Sequence, residues 1–198
     1  MLDIIRLVVE TLTPVIVLVF GIKIDKVIKK HESTLLTNQK ILEKRLEIYD
    51  KVIFMINDIF CFHCYIGNWK ELSPPVIIEH KRKLDKIMHS YAPLFKDKLL
   101  KDYNNFMEEY YMTFVGWGED AKIRSLYIKR KKVYKNWEDT WIDMFDCKGI
   151  QTDKDENNSI NIKTEKYNML LESFKENLEI LQPGNYLSGD RPNINFMK

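Results

Sequence analysis

Turn-forming residues are scarce in this chain: 7 glycines and 6 prolines in 198 residues. So few of them exclude a many-stranded β fold, and the 45% hydrophobic content excludes disorder over most of the length. Cysteine is scarcer still. Three is an odd count, and Cys61 and Cys64 sit in an apolar helical run, so a disulfide framework is excluded and a reducing compartment is expected. Charge of one sign is missing as a global property. A net charge of +2 gives no whole-chain argument for nucleic acid, which is disfavoured as a partner. Also missing are HExxH, a Ser–His–Asp order, a phosphate-cradling loop, a dinucleotide fingerprint, a paired-carboxylate signature and any internal repeat. A non-enzymatic protein is therefore expected, with no catalytic residue, no cofactor and no metal.

What is present begins with "DIIRLVVETLTPVIVLVFGIKIDKVIKK". From Leu7 to Ile22 the only charge is Glu10. Sixteen helical residues span roughly 24 Å, somewhat short of a hydrocarbon core of about 30 Å. The flanks support a span. Lys23, Lys26, Lys29 and Lys30 follow it at once, which orients the N-terminus outside and the bulk of the chain in the cytoplasm. A cleaved signal peptide is the first competitor, but its basic start and small-residue cleavage site are missing. A buried soluble helix and a surface-lying amphipathic helix are the others.

The charges in this segment share a face. Asp3, Arg6, Glu10 and Thr13 are spaced 3, 4 and 3, so they form one polar stripe on a helix. Facing lipid would cost a few kcal/mol per charge, so such a stripe calls for protein or water beside it. Self-association or a membrane protein partner is expected, with membrane lipid as the surroundings. For Glu10 the bland alternative is snorkelling to the nearby interface. Pro14 is expected to kink the helix.

The periodicity divides the rest. Residues 1–22 read as the transmembrane helix and 23–40 as a helical stalk with sparse apolar positions. The stalk places Ile28, His31, Leu35, Asn38 and Leu42 at heptad spacing, a weak coiled-coil signal. Residues 41–181 read as a cytosolic helical bundle and 182–198 as an irregular tail. Within the bundle, one long helix continues to about residue 66. Ser73 and Pro74 start the next, which Pro93 ends. A third covers about 96–114, stopped by Gly116. A fourth covers about 119–145, with Glu119 and Asp120 in its first turn. A polar loop fills 147–161 and a last helix covers about 163–181. No useful β alternation appears, so the fold class is all-α.

Four constellations could carry chemistry. "CFHC" (61–64) lacks a second ligand pair for a tetrahedral metal site and reads as small buried helix residues. Lys122, Arg124, Lys129, Arg130, Lys131, Lys132 and Lys135 form a basic run with aromatics interleaved. It reads first as a solvated face and second as a patch for an anionic ligand or lipid headgroups. "KRKLDK" at 81–86 could extend it. Trp69 in "GNWKEL", with Trp117, Glu119 and Asp120 in "GWGED", marks a candidate loop site. Capping and core coverage are its plainer explanations.

The strings "GNWKELSPP", "KRKLDKIMHSYAPLF" and "GWGEDAKIRS" resemble a group of small bacterial single-pass membrane proteins of unassigned function, over about Leu42 to Asp146. The resemblance implies a link to anti-phage defence and carries no site residue onto this chain. The expectation is an oligomeric membrane effector. The alternative is a membrane-tethered scaffold or binding module for a cytosolic partner.

Overall fold

A computed structural model describes residues 2–113, 116–147 and 153–178; for residues 2–17, 19, 153 and 154 it describes the backbone alone. The fold is mostly helical, as the all-α expectation required. The chain divides into two compact units, residues 1–44 and 45–198. The expected tail, 182–198, and the side chains of Asp3, Arg6, Glu10 and Thr13 lie outside the described residues.

The described residues of the first unit are all helical. They belong to α1, Leu2–Cys64, which takes in Pro14 and Gly21 without a break in its assignment. Every side chain from Phe20 to Lys40 is exposed, including Phe20, Ile24, Val27, Ile28, Leu35 and Leu36. Among the described residues no helix is long and apolar enough to cross a membrane. Most of the apolar opening lies outside the side chains described.

The second unit contains the core. The last turns of α1 bury Ile48, Val52, Ile56, Ile59 and Phe62, a 4-4-3-3 spacing that keeps one helical face inward. α2 (Pro74–Tyr91) starts at Ser73, whose extended backbone (φ −81, ψ 154) stands outside the helix. Pro74 and Pro75 then occupy the first turn, where their missing N–H groups cost nothing. α2 ends where Pro93 sits in a single 3₁₀ turn, Ala92–Leu94. α3 (Asp97–Tyr110) buries Leu99, Tyr103, Phe106, Met107 and Tyr110 and packs along the last helix. Across the core, Phe60 of α1 stacks on Tyr167 (4.0 Å between ring centres, 5° between planes) and Tyr49 meets Phe174 edge-on.

The region 111–147 corrects the sequence reading. α3 does not run to the expected residue 114. It stops at Tyr110 and passes into β1 (Tyr111–Met112), which pairs antiparallel with β2 (Lys122–Ile123). The expected fourth helix over 119–145 does not form. Glu119 and Asp120 open no helix; a six-residue α4 (Ile128–Val133) and a 3₁₀ segment (Asp139–Met144) stand in its place. The reason is tertiary. As one helix, Tyr127 and Phe145 would be separated by about 27 Å. Their ring centres are 6.1 Å apart, with Trp137 packed on both. Folding this segment back on itself packs three aromatic rings together, with Phe145 buried and Tyr127 and Trp137 partly buried, which outweighs a helix propensity worth tenths of a kcal/mol per residue.

The last helix also departs from expectation. α5 spans Asp153–Asn177, so residues 153–161 of the expected polar loop are helical. Their support is tertiary too: Glu156 is 3% exposed despite its charge.

Candidate functional site

The end of α1 is built around an unusual residue. Ile66 N–H donates to the carbonyl of Cys61 (3.2 Å), the long bond of a helix-closing turn. The residue between them and the helix, Tyr65, has φ +57, a position that glycine usually takes. A side chain there costs about 1 kcal/mol. Tyr65 is held by its hydroxyl, which donates to Glu156 Oε1 of α5 (2.5 Å) and accepts from Arg130 Nη1 (2.9 Å).

Arg130 is the centre of this arrangement. It belonged to the expected basic surface run, yet its side chain is fully buried. Its guanidinium lies 4.1 Å from the Phe62 ring centre and 4.3 Å from that of Tyr65. It donates to the carbonyls of Phe62 and Leu126 and to Ser125 Oγ. A cation donating to a carbonyl at a helix C-terminus is favoured by the helix dipole. Glu156 acts on it through its charge and pairs with Lys129 (2.6 Å). Burial lowers the Arg130 pKa from its ordinary value, while Tyr65 and Glu156 hold it up. Enclosed on all sides, the group serves as a cross-link.

Beside it, His63 is also buried. Its ring nitrogens face the carbonyls of Ile59 (2.9 Å) and Tyr110 (3.1 Å). Burial, then Lys163 and Arg130, hold it well below the usual imidazole range, so the ring is neutral and donates to one of the two. Lys163, 3% exposed, contacts Ser159 Oγ; burial drops its pKa to about 8. Cys61 and Cys64 are pushed up, mainly by burial. Among the described residues, no three His, Cys, Asp or Glu side chains are placed to share a metal ion.

The basic run therefore splits. Arg130 leaves the surface, Lys129 pairs with Glu156, and Lys131 pairs with Asp139 (2.6 Å). Arg124, Lys132 and Lys135 are exposed without an ion pair among the described residues. The 81–86 patch is balanced as well. Lys81 pairs with Asp85, Arg82 forks onto Asp120, and Lys83 pairs with Glu79.

Two clefts remain. One, of about 310 Å³, brings Glu119, Asp120 and Lys122 together with Asp143 and Thr140. Trp117 stays outside it, 98% exposed on the Gly116–Glu119 turn. The other, of about 490 Å³, joins the loop after Trp69 to the end of the basic run: Lys70, Glu71 and Ser73 face Lys135, Asn136 and Trp141. Its walls are tied together. The Tyr134 hydroxyl bonds the Trp69 carbonyl (2.8 Å) beside that of Leu72, and Trp69 packs edge-on against Tyr65. The sequence marked Lys135 and the Trp69 loop separately. It gave no signal that Trp141 would complete the cleft, or that Tyr65 and Glu156 would enclose Arg130.

No known family, curated protein or solved structure matches this chain.

Proposed function

We propose that the chain is a single-pass protein of a bacterial inner membrane, N-terminus outside, with a cytoplasmic helical domain, and that it acts as an oligomeric membrane effector. The observation that carries this reading is α1. One helix contains the apolar opening and its lysine flank, and the same helix supplies Ile48–Phe62 to the core of the second unit. Between them, Phe20, Ile24, Ile28 and Leu35 are exposed. A lone helix gains little stability in water without burying its apolar side chains. Lipid around the opening, and second copies along the stalk, would bury them.

The polar stripe supplies the effector part. Asp3, Arg6, Glu10 and Thr13 at 3-4-3 spacing would line the contact between copies. Anti-phage defence is the setting that the resemblance of the second unit's strings would imply. The test is Glu10→Leu in cells expressing the chain. The account expects loss of membrane permeabilisation and a smaller oligomer in detergent. Unchanged permeabilisation and unchanged oligomer size would refute it. Replacing residues 1–22 with an unrelated span should also abolish the effect; retained function would identify a tethered binding module instead.

A further inference from the structure

We propose that the 490 Å³ cleft between residues 70–73 and 133–141 binds a small aromatic phosphomonoester, of the nucleoside monophosphate type. The proposal is independent of the membrane reading, because every residue in it belongs to the second unit.

The volume falls within the range of small-molecule sites. The donors suit one phosphate. Lys70 and Lys135 are exposed, and neither has an ion pair among the described residues, unlike Lys129 and Lys131 nearby. Ser73 makes no side-chain capping bond, so its hydroxyl is uncommitted to α2. Asn136 adds an amide. Two ammonium groups, a hydroxyl and an amide can serve three oxygens carrying a charge of about −1.5 to −2. The start of α2 does not hold the anion by itself, since Pro74 and Pro75 remove its first N–H groups. The binding charge must come from the side chains.

Two further groups narrow the ligand. Glu71 lines the same cleft. A carboxylate there opposes every added negative charge and accepts from a hydroxyl, which favours a monoester on a polyol over a more highly charged polyphosphate. Trp141 is half-buried, braced edge-on by Tyr134 (6.4 Å, 89°) and Trp137 (5.4 Å, 71°). A ring held in this way is a ready stacking surface, and an aromatic base gains from it where an aliphatic headgroup does not. Tyr134 is fixed by its bond to the Trp69 carbonyl, so the cleft is already shaped.

The test uses the full chain in detergent, titrated calorimetrically with the four ribonucleoside monophosphates, inorganic phosphate and adenosine. At least one monophosphate should bind more tightly than phosphate or adenosine. Lys70→Glu and Lys135→Glu should each weaken it about tenfold or more, the equivalent of one charge-assisted hydrogen bond. Trp141→Leu should erase the preference over inorganic phosphate, and Lys132→Glu should change nothing. All three lysines are exposed, so unchanged thermal unfolding confirms that the variants fold. Absence of saturable binding by all four at millimolar concentration overturns the proposal. So does binding indifferent to Lys70→Glu and Lys135→Glu. A further arm titrates the full chain in detergent with mixed micelles containing phosphatidylglycerol and phosphatidylethanolamine. Binding there that depends on Lys70 and Lys135, without monophosphate binding, assigns the cleft to lipid and overturns the proposal.

Discussion

Replacing Arg130 with methionine should destabilise the second unit more than any other single change in the basic run. Methionine keeps much of the volume and removes the charge and its donors. Four acceptors lose a donor at once: the carbonyls of Phe62 and Leu126, Ser125 Oγ and the Tyr65 hydroxyl, the Leu126 carbonyl keeping only a long bond from Tyr65 (3.3 Å). Each buried orphan costs about 1–3 kcal/mol, less where it can turn toward another donor. Removing one partner from a buried charged network costs about 3–5 kcal/mol in measured cases. That range is the expected loss, because the Tyr65 hydroxyl keeps Glu156 while the Phe62 carbonyl, at the end of α1, loses its capping cation. For a chain of this length it corresponds to a drop of roughly 6–20 °C in the unfolding midpoint. Arg130→Lys should fall between, since an ammonium keeps the charge but lacks the planar fork. The assay is thermal and urea unfolding followed by circular dichroism, with Lys132→Met as the exposed control at about ±0.5 kcal/mol. A loss below about 1 kcal/mol for Arg130→Met would refute the cross-link.

Two further predictions concern the same region. Lys163 titrates near 8 when folded and higher when unfolded, so the unfolded chain holds the extra proton between those values. Stability from this group therefore rises with pH above 8, and its burial costs on the order of 3 kcal/mol at neutral pH. Lys163→Met should unfold at a higher temperature than the parent at pH 7, with the gap narrowing by pH 9.5; a constant gap in paired melts would contradict this. Gly67 has φ +57, and a Cβ there would stand 3.1 Å from Cys61 Sγ. Gly67→Ala should cost about 1–2 kcal/mol in urea unfolding, and an unchanged midpoint would show that the turn relaxes freely.

These sites also show where the fold was readable in the sequence. The inner face of α1 was legible because apolar side chains recur at helical spacing from Ile48 to Phe62. α2 was legible because Ser73, Pro74 and Pro93 punctuate it chemically. The 119–145 segment was not. Tyr127, Trp137, Trp141 and Phe145 suit a helix as well as a folded-back loop, and only tertiary contacts, the ring packing of Tyr127, Trp137 and Phe145 and the pairing of Ile123 with Tyr111, decide between them. Arg130 was illegible for a related reason. Nothing local separates it from Lys129 or Lys131; its burial depends on Tyr65, 65 residues away in the chain. The beginning of α5 reads as a polar loop because Glu156 is recruited by Tyr65 and Lys129, not by its neighbours. As for the candidate site, the two halves of the larger cleft were visible as separate strings, and their meeting was not.

The central claim is that the opening helix places the chain in a membrane and assembles it there. Its most direct test is the mass of the detergent-purified chain, by light scattering, with and without residues 1–22, alongside fractionation of the cells that made each form. The account predicts a full chain in the membrane fraction that runs as a defined oligomer, and a truncated chain released from membranes at a smaller assembly size. A full chain that is monomeric and leaves the membrane fraction without detergent would contradict it.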